Sequence, residues 1–127
     1  MFIPTSFLRQ LYVRGSLQNV DLDGDGEPEG VSFKLRNTLA GGSIRGSLKL
    51  RIDRADVDPS KVILEYRGEK LRASEAGERT MYFGVGDEIT ITAELGKGLD
   101  PGDHTVELEV KTLEYGAISF DFTDTIK

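Results

Sequence analysis

The chain has 127 residues, 22 acidic and 16 basic, with one histidine and neither cysteine nor tryptophan. That length suits one domain with a real hydrophobic core, expected over 1–127 with an N-terminal arm over about residues 1–10. A net charge of −6 argues against nucleic-acid partners, and the missing thiols and paired histidines exclude disulfides, zinc fingers and cysteine nucleophiles. No run is long or apolar enough for a membrane span or secretory leader, so a cytoplasmic protein with no membrane partner is expected.

In chain order, Phe2, Ile3, Phe7, Leu8, Leu11 and Tyr12 could wrap a single helical turn, and the stretch from Leu11 to Val20 reads as extended. Beyond it the apolar residues alternate. Val31, Phe33 and Leu35 are interleaved with Ser32, Lys34 and Arg36; Leu48, Leu50 and Ile52 with Lys49, Arg51 and Asp53. Val62, Leu64 and Tyr66 follow, then Ile89, Ile91 and Ala93, then Val106, Leu108 and Val110, then Ile118, Phe120 and Phe122. A period of two gives each strand one dry face. Turns are expected at Ala40-Gly41-Gly42-Ser43, at Arg67-Gly68-Glu69-Lys70 between two short β runs, and at Asp100-Pro101-Gly102-Asp103. One-sided strands joined by short polar turns must bury their apolar faces against a second layer. The expected fold is therefore all-β: a two-layer antiparallel β-sandwich, immunoglobulin-like or jelly-roll, of about seven or eight strands.

The most chemical stretch is Asp21-Leu22-Asp23-Gly24-Asp25-Gly26-Glu27-Pro28-Glu29-Gly30, with acids at relative positions 1, 3, 5, 7 and 9 and glycine at 6. Alternate carboxylates in a tight turn converge on one point, which suits a hard cation wanting six to eight oxygens. Position 12 is Ser32 and the flanks read as strands, so this is no EF-hand. It resembles a β-hairpin calcium loop, in which Asp21, Asp23, Asp25 and Glu29 would be ligands together with the position-seven carbonyl. The plain alternative is a solvated hairpin tip, since Asp-Gly pairs also make tight turns. Either way, removing these five acids leaves 17 against 16 bases. The charge describes one hairpin, and the absence of any basic cluster becomes the better argument against nucleic acid.

Elsewhere the chemistry is thin. His104 opens a strand beside Asp103 and reads as a partly exposed strand-start residue. No Gly-x-Ser-x-Gly elbow, phosphate loop or dinucleotide fingerprint occurs, and no pair of carboxylates stands out as a glycosidase couple. No catalytic residue is assigned to this chain. Two apolar clusters fit the alternation poorly: Phe2, Ile3, Phe7, Leu8 and Tyr12 in the arm, and Met81-Tyr82-Phe83. Adjacent aromatics point to both sides of a strand, so Phe2, Ile3, Phe7, Leu8, Tyr12 and Tyr82 are candidates for a partner interface; alternatively the arm folds back over Met81–Phe83. A carbohydrate-binding platform would have to come from Tyr12, Tyr66, Tyr82 and Tyr115, which lie on separate expected strands.

Met1-Phe2-Ile3-Pro4-Thr5-Ser6-Phe7-Leu8 through Asn19, Phe33-Lys34-Leu35-Arg36-Asn37-Thr38-Leu39, and Pro101-Gly102-Asp103-His104-Thr105-Val106-Glu107-Leu108 running to Thr123-Asp124-Thr125-Ile126 resemble the small β subunit of bacterial C-glycoside deglycosidases. The resemblance spans nearly the whole chain, and its specific part is the first nineteen residues. It implies an accessory subunit beside a barrel-type α subunit similar to sugar isomerases. That partner would hold the catalytic residues and a divalent metal, manganese by the same resemblance. The substrate class would be a 3-oxo-C-glycoside of an aromatic aglycone, cleaved at its carbon–carbon glycosidic bond by elimination. No catalytic position of that family maps onto a numbered residue here, nor does the Asp21–Glu29 loop. The competing expectation is a calcium-stabilised immunoglobulin-like binding or adhesion module.

Overall fold

Side chains that alternate along a strand leave one face to be dried, and in this chain two such faces dry each other. The computed structural model describes residues 4–46, 48–77 and 79–127. A short helix, α1 (Thr5–Leu8), runs into a 3-10 turn (Arg9–Leu11). Then come β1 (Gln18–Val20), β2 (Gly30–Arg36), β3 (Gly42–Arg45), β4 (Lys49–Ile52), β5 (Ala55–Val57), β6 (Val62–Tyr66), β7 (Glu69–Arg72), β8 (Thr80–Phe83), β9 (Glu88–Glu94), β10 (Gly102–Thr112) and β11 (Gly116–Ile126).

One sheet has the order β1-β2-β9-β6-β7, all antiparallel. The other is centred on β10, which pairs along its full length with β11 on one edge and with β4 and β3 in succession on the other. β5 lies outside β4 and β8 outside β3. Val31 and Phe33 from β2, Val62 from β6, Ile91 and Ala93 from β9, and Leu50 and Val106 from β4 and β10 are at most 2 % exposed. Each of the larger side chains, Ala93 apart, contributes about 1.5–3 kcal/mol relative to exposure, which makes this inter-sheet layer the main source of stability.

The arm closes one flank of the sandwich. Tyr12 stacks on Phe122, ring centroids 3.6 Å apart, and Phe122 in turn meets Phe33 edge-on at 5.2 Å. The Tyr12 hydroxyl donates to Asp124 at 2.6 Å and accepts from the Leu17 N–H, while the Arg9 guanidinium clamps Asp121 at 2.8 Å. Leu8 is buried. Leu8 and Tyr12, two of the expected interface residues, thus fasten the arm to the core, Leu8 buried and Tyr12 half-buried; Phe2 and Ile3 lie outside the described residues.

The strand count of seven or eight is corrected to eleven among the described residues. The additions are three- and four-residue segments too short to show a period. β5 is hidden further, because the turn that precedes it uses Asp53 and Arg54 with φ of 51° and 69°, a left-handed pair with no glycine to announce it. The expected turn at Ala40–Ser43 is also shorter, since Gly42 and Ser43 already belong to β3. β2 meets β9 with Gly30 opposite Glu94 at one end and Arg36 opposite Glu88 at the other. The acidic hairpin therefore sits at one end of that sheet, and the 84–87 loop after β8 at the other. No described helix is long and apolar enough to cross a membrane.

Candidate functional site

The acidic segment is the hairpin connection between β1 and β2, and its carboxylates are held by the loop's own backbone. Asp21 accepts from the Gly24 and Gly26 N–H groups at 2.9 and 2.8 Å, Asp23 from Asp25 at 3.0 Å, and Asp25 from Glu27 at 2.8 Å. Glu29 reaches back across the hairpin to the N–H of Leu22 at 2.7 Å and of Asp23 at 3.2 Å. The bends fall at Gly24 and Gly26, with φ of 78° and 90°, a region that a side chain would strain. One carboxylate oxygen from each of Asp21, Asp23, Asp25 and Glu29 lies within 4.8 Å of the others. All four expected ligands come together.

The electrostatics differ within the cluster. Asp21 is held below its ordinary pKa by the Gly26 N–H first and the Gly24 N–H after it. Glu29 is pushed up by desolvation, with Asp25 and the charge of Asp23 adding to the shift against the Leu22 and Asp23 N–H groups. Its second oxygen, Oε2, is buried without a hydrogen-bond partner. An all-oxygen donor set that includes an unsatisfied carboxylate oxygen fits a hard divalent cation such as calcium.

At the opposite end, β8 presents alternate sides as its adjacent aromatics require: Phe83 is buried, and Tyr82 is 58 % exposed. The Tyr82 ring lies against Gly41, where an added Cβ would sit 2.1 Å from the Tyr82 hydroxyl. Val85 and Leu113 are also exposed. Leu113 is tied to the same place, since its N–H donates to the Ser43 carbonyl at 3.0 Å and Ser43 is the register partner of Tyr82. Of the expected interface residues that are described, Phe7 and Tyr82 are the exposed ones. The tyrosines form no common platform, because Tyr12 stacks internally and the Tyr66 hydroxyl is engaged by Asp87 and the Tyr82 carbonyl.

His104 is more constrained than its strand-start position suggests. Its Nδ1 lies 2.5 Å from Asp53 and its Nε2 2.6 Å from the Asp100 carbonyl. The Asp53 hydrogen bond, then the Asp100 carbonyl, raise the imidazole pKa. Both nitrogens are committed, so the ring serves as a clamp between the β4–β5 turn and the start of β10. A cavity that opens between the sheets near Tyr82 has no local signature, because its walls come from strands scattered from β2 to β11.

No curated protein matches the chain. Among solved structures, a family 123 glycoside hydrolase from Clostridium perfringens, described for glycolipid glycan hydrolysis, aligns at 9 % identity with a TM-score of 0.38. The alignment takes in 77 % of this chain and 21 % of that one, so the chain spans about a fifth of the hydrolase. Residues 7–127 match the family model described as hydroxymethylglutaryl-CoA reductase, N-terminal domain. With nearly the whole sequence inside that match, the chain belongs to the hydroxymethylglutaryl-CoA reductase N-terminal domain family.

Proposed function

We propose that this chain is an accessory, noncatalytic β-sandwich subunit of a metal-dependent C-glycoside deglycosidase, bound to a barrel-type catalytic partner. The observation that carries the reading is the apolar end of the sandwich, where Tyr82, Val85 and Leu113 are exposed around β3 and β8. Exposed apolar residues gathered at one place mark association surfaces. The sequence resemblance supplies the kind of partner. In the reaction, a base removes the proton from C2 of the 3-oxo sugar, that electron pair forms the C1–C2 double bond, and the C1–aryl bond breaks. An acid then protonates the aryl carbon, giving aglycone and unsaturated keto-sugar. A divalent metal in the partner would hold the enolate oxygen. In this reading the partner supplies both base and acid, and the one imidazole of this chain is committed at both nitrogens.

The family description, taken at its words, offers a reductase as another catalytic companion. Hydride transfer needs a cofactor site, and the chain carries no Gly-x-Gly-x-x-Gly fingerprint. Under either description the sandwich works beside a catalytic domain. Co-expression decides between partners: stable copurification with a sugar-isomerase-type barrel and activity on a 3-oxo-C-glycoside only in the mixture support the proposal. A monodisperse monomer that ignores the barrel overturns it.

A second reading, a calcium-stabilised immunoglobulin-like binding module, is favoured by the convergence of Asp21, Asp23, Asp25 and Glu29. Calorimetry with calcium tests it directly. Absence of heat with the wild type ends that reading and leaves the subunit proposal untouched.

A further inference from the structure

Protein interiors are close-packed and seldom leave a void larger than a water molecule. Here about 380 Å³ stays open between the sheets at the end away from the acidic hairpin. Its walls include Ile44, Leu64, Leu71, Met81, Val110 and Ile118. Two of the polar groups that reach it are already satisfied. The Asn37 amide donates to the carbonyls of Ala40 and Phe83, both at 2.8 Å, and accepts from the Leu39 N–H. The Tyr66 hydroxyl is taken by Asp87 and the Tyr82 carbonyl. Water needs two to four polar partners to be held in such a space, so these walls favour an apolar occupant.

The rim has a different character. Among the described residues, Arg67, Lys70 and Arg79 border the cavity together with the acid Glu69. Arg67 is tied to Asp87 at 3.1 Å and lies over the Tyr66 ring. Lys70 and Arg79 are exposed and make no ion pair among the described residues. A cationic rim on an apolar chamber is notable in a chain of net charge −6.

We infer that the inter-sheet cavity is a binding site for an amphipathic monoanion, its apolar body between the sheets and its carboxylate at Lys70 and Arg79. A cavity of about 150 Å³ lined by Leu, Ile and Phe accepts benzene. The space here, 380 Å³, fits a medium acyl chain or a fused ring system. The site does not depend on the identity of the catalytic partner.

The test uses the full chain with decanoate and decan-1-ol as probes, by titration calorimetry and by chemical-shift mapping of the cavity walls. One decanoate per chain is expected, with shifts at Ile44, Leu71 and Met81. Lys70→Glu with Arg79→Glu weakens decanoate at least tenfold and leaves decanol within twofold. Leu71→Trp fills the chamber and abolishes both ligands while the thermal transition stays cooperative; Ile44→Phe does the same where the tryptophan variant fails to fold. No heat with either probe on cooperatively melting wild type overturns the site and leaves the chamber to a partner's side chains. Unchanged decanoate affinity in the charge-reversed variant overturns the assignment of Lys70 and Arg79.

Discussion

At the β1–β2 end, five acids sit within nine residues and nearly every carboxylate is tied to the loop's own backbone. At the β3–β8 end the chain holds an open apolar chamber, exposed Tyr82, Val85 and Leu113, and a rim of three cations. The first end is built from one contiguous segment and shaped by local hydrogen bonds. The second is assembled from distant strands, with Tyr82 and Val85 from β8 and the loop after it and Leu113 from the connection between β10 and β11. The contrast teaches that clustered acids and an open apolar chamber stand at opposite ends of one sandwich, the one drawn from a local segment and the other from strands far apart in sequence.

Both ends hang on the same inter-sheet layer, so the most damaging way to break the contrast is to cut that layer. Phe33 is fully buried and meets Phe122, which carries the Tyr12 stack. Phe33→Ala is expected to cost about 3–5 kcal/mol, measured by urea denaturation. Partner association and any calcium response should fail together. A variant that loses one and keeps the other would mean that the ends fold independently.

The next largest effect isolates the acidic end. With calcium a hundredfold above its dissociation constant, the melting temperature should rise by roughly 10 °C. Asp23→Ala should erase the rise without lowering the melting temperature in chelator, since it removes one of four crowded carboxylates. An equal rise in the variant would make the hairpin a solvated turn and attribute the effect to salt.

The apolar end is probed by Tyr82→Asp. The side chain is more than half exposed, so stability should change by less than about 1 kcal/mol, while partner affinity falls at least tenfold in a pull-down titration. Comparable losses in both would place Tyr82 in the core's energetics and remove it from the interface.

How legible each end was follows from the same difference. The hairpin's ligands stand at alternate positions of one segment, and a pattern local in sequence stays local in space. The long strands were legible because Val31, Phe33 and Leu35, or Val106, Leu108 and Val110, repeat every second residue. β3 was not, because Gly42-Ser43-Ile44-Arg45 carries one large apolar residue and therefore no period. The cavity was illegible altogether: nothing near Ile44 announces Leu71, Met81 or Ile118 as its neighbours. The arm misled in part. Tyr12 looks like a spare apolar residue until Phe122 and Asp124, more than a hundred residues later, arrive beside it.

The smallest expected effect belongs to the clamp at His104, which lies toward the acidic end through Asp100 and the Asn19–Leu99 pair. The imidazole pKa is raised in the folded chain, chiefly by the Asp53 hydrogen bond. Its stabilising contribution is therefore complete below the unfolded value of about 6.5 and is lost as pH rises through the higher folded value. Asp53 runs the other way. Desolvation works to raise it, yet the His104 hydrogen bond and the Thr105 N–H hold it low, so its contribution is present above the unfolded value of about 3.9 and is lost as pH falls through the folded one. The pair stabilises most between these limits. In chelator, the stability difference between wild type and His104→Gln should peak near pH 5 and shrink steadily above pH 7. A difference that stays constant from pH 5 to 8 would show that the ring contributes by packing alone, and the acidic end would then owe its order to the hairpin and not to the clamp behind it.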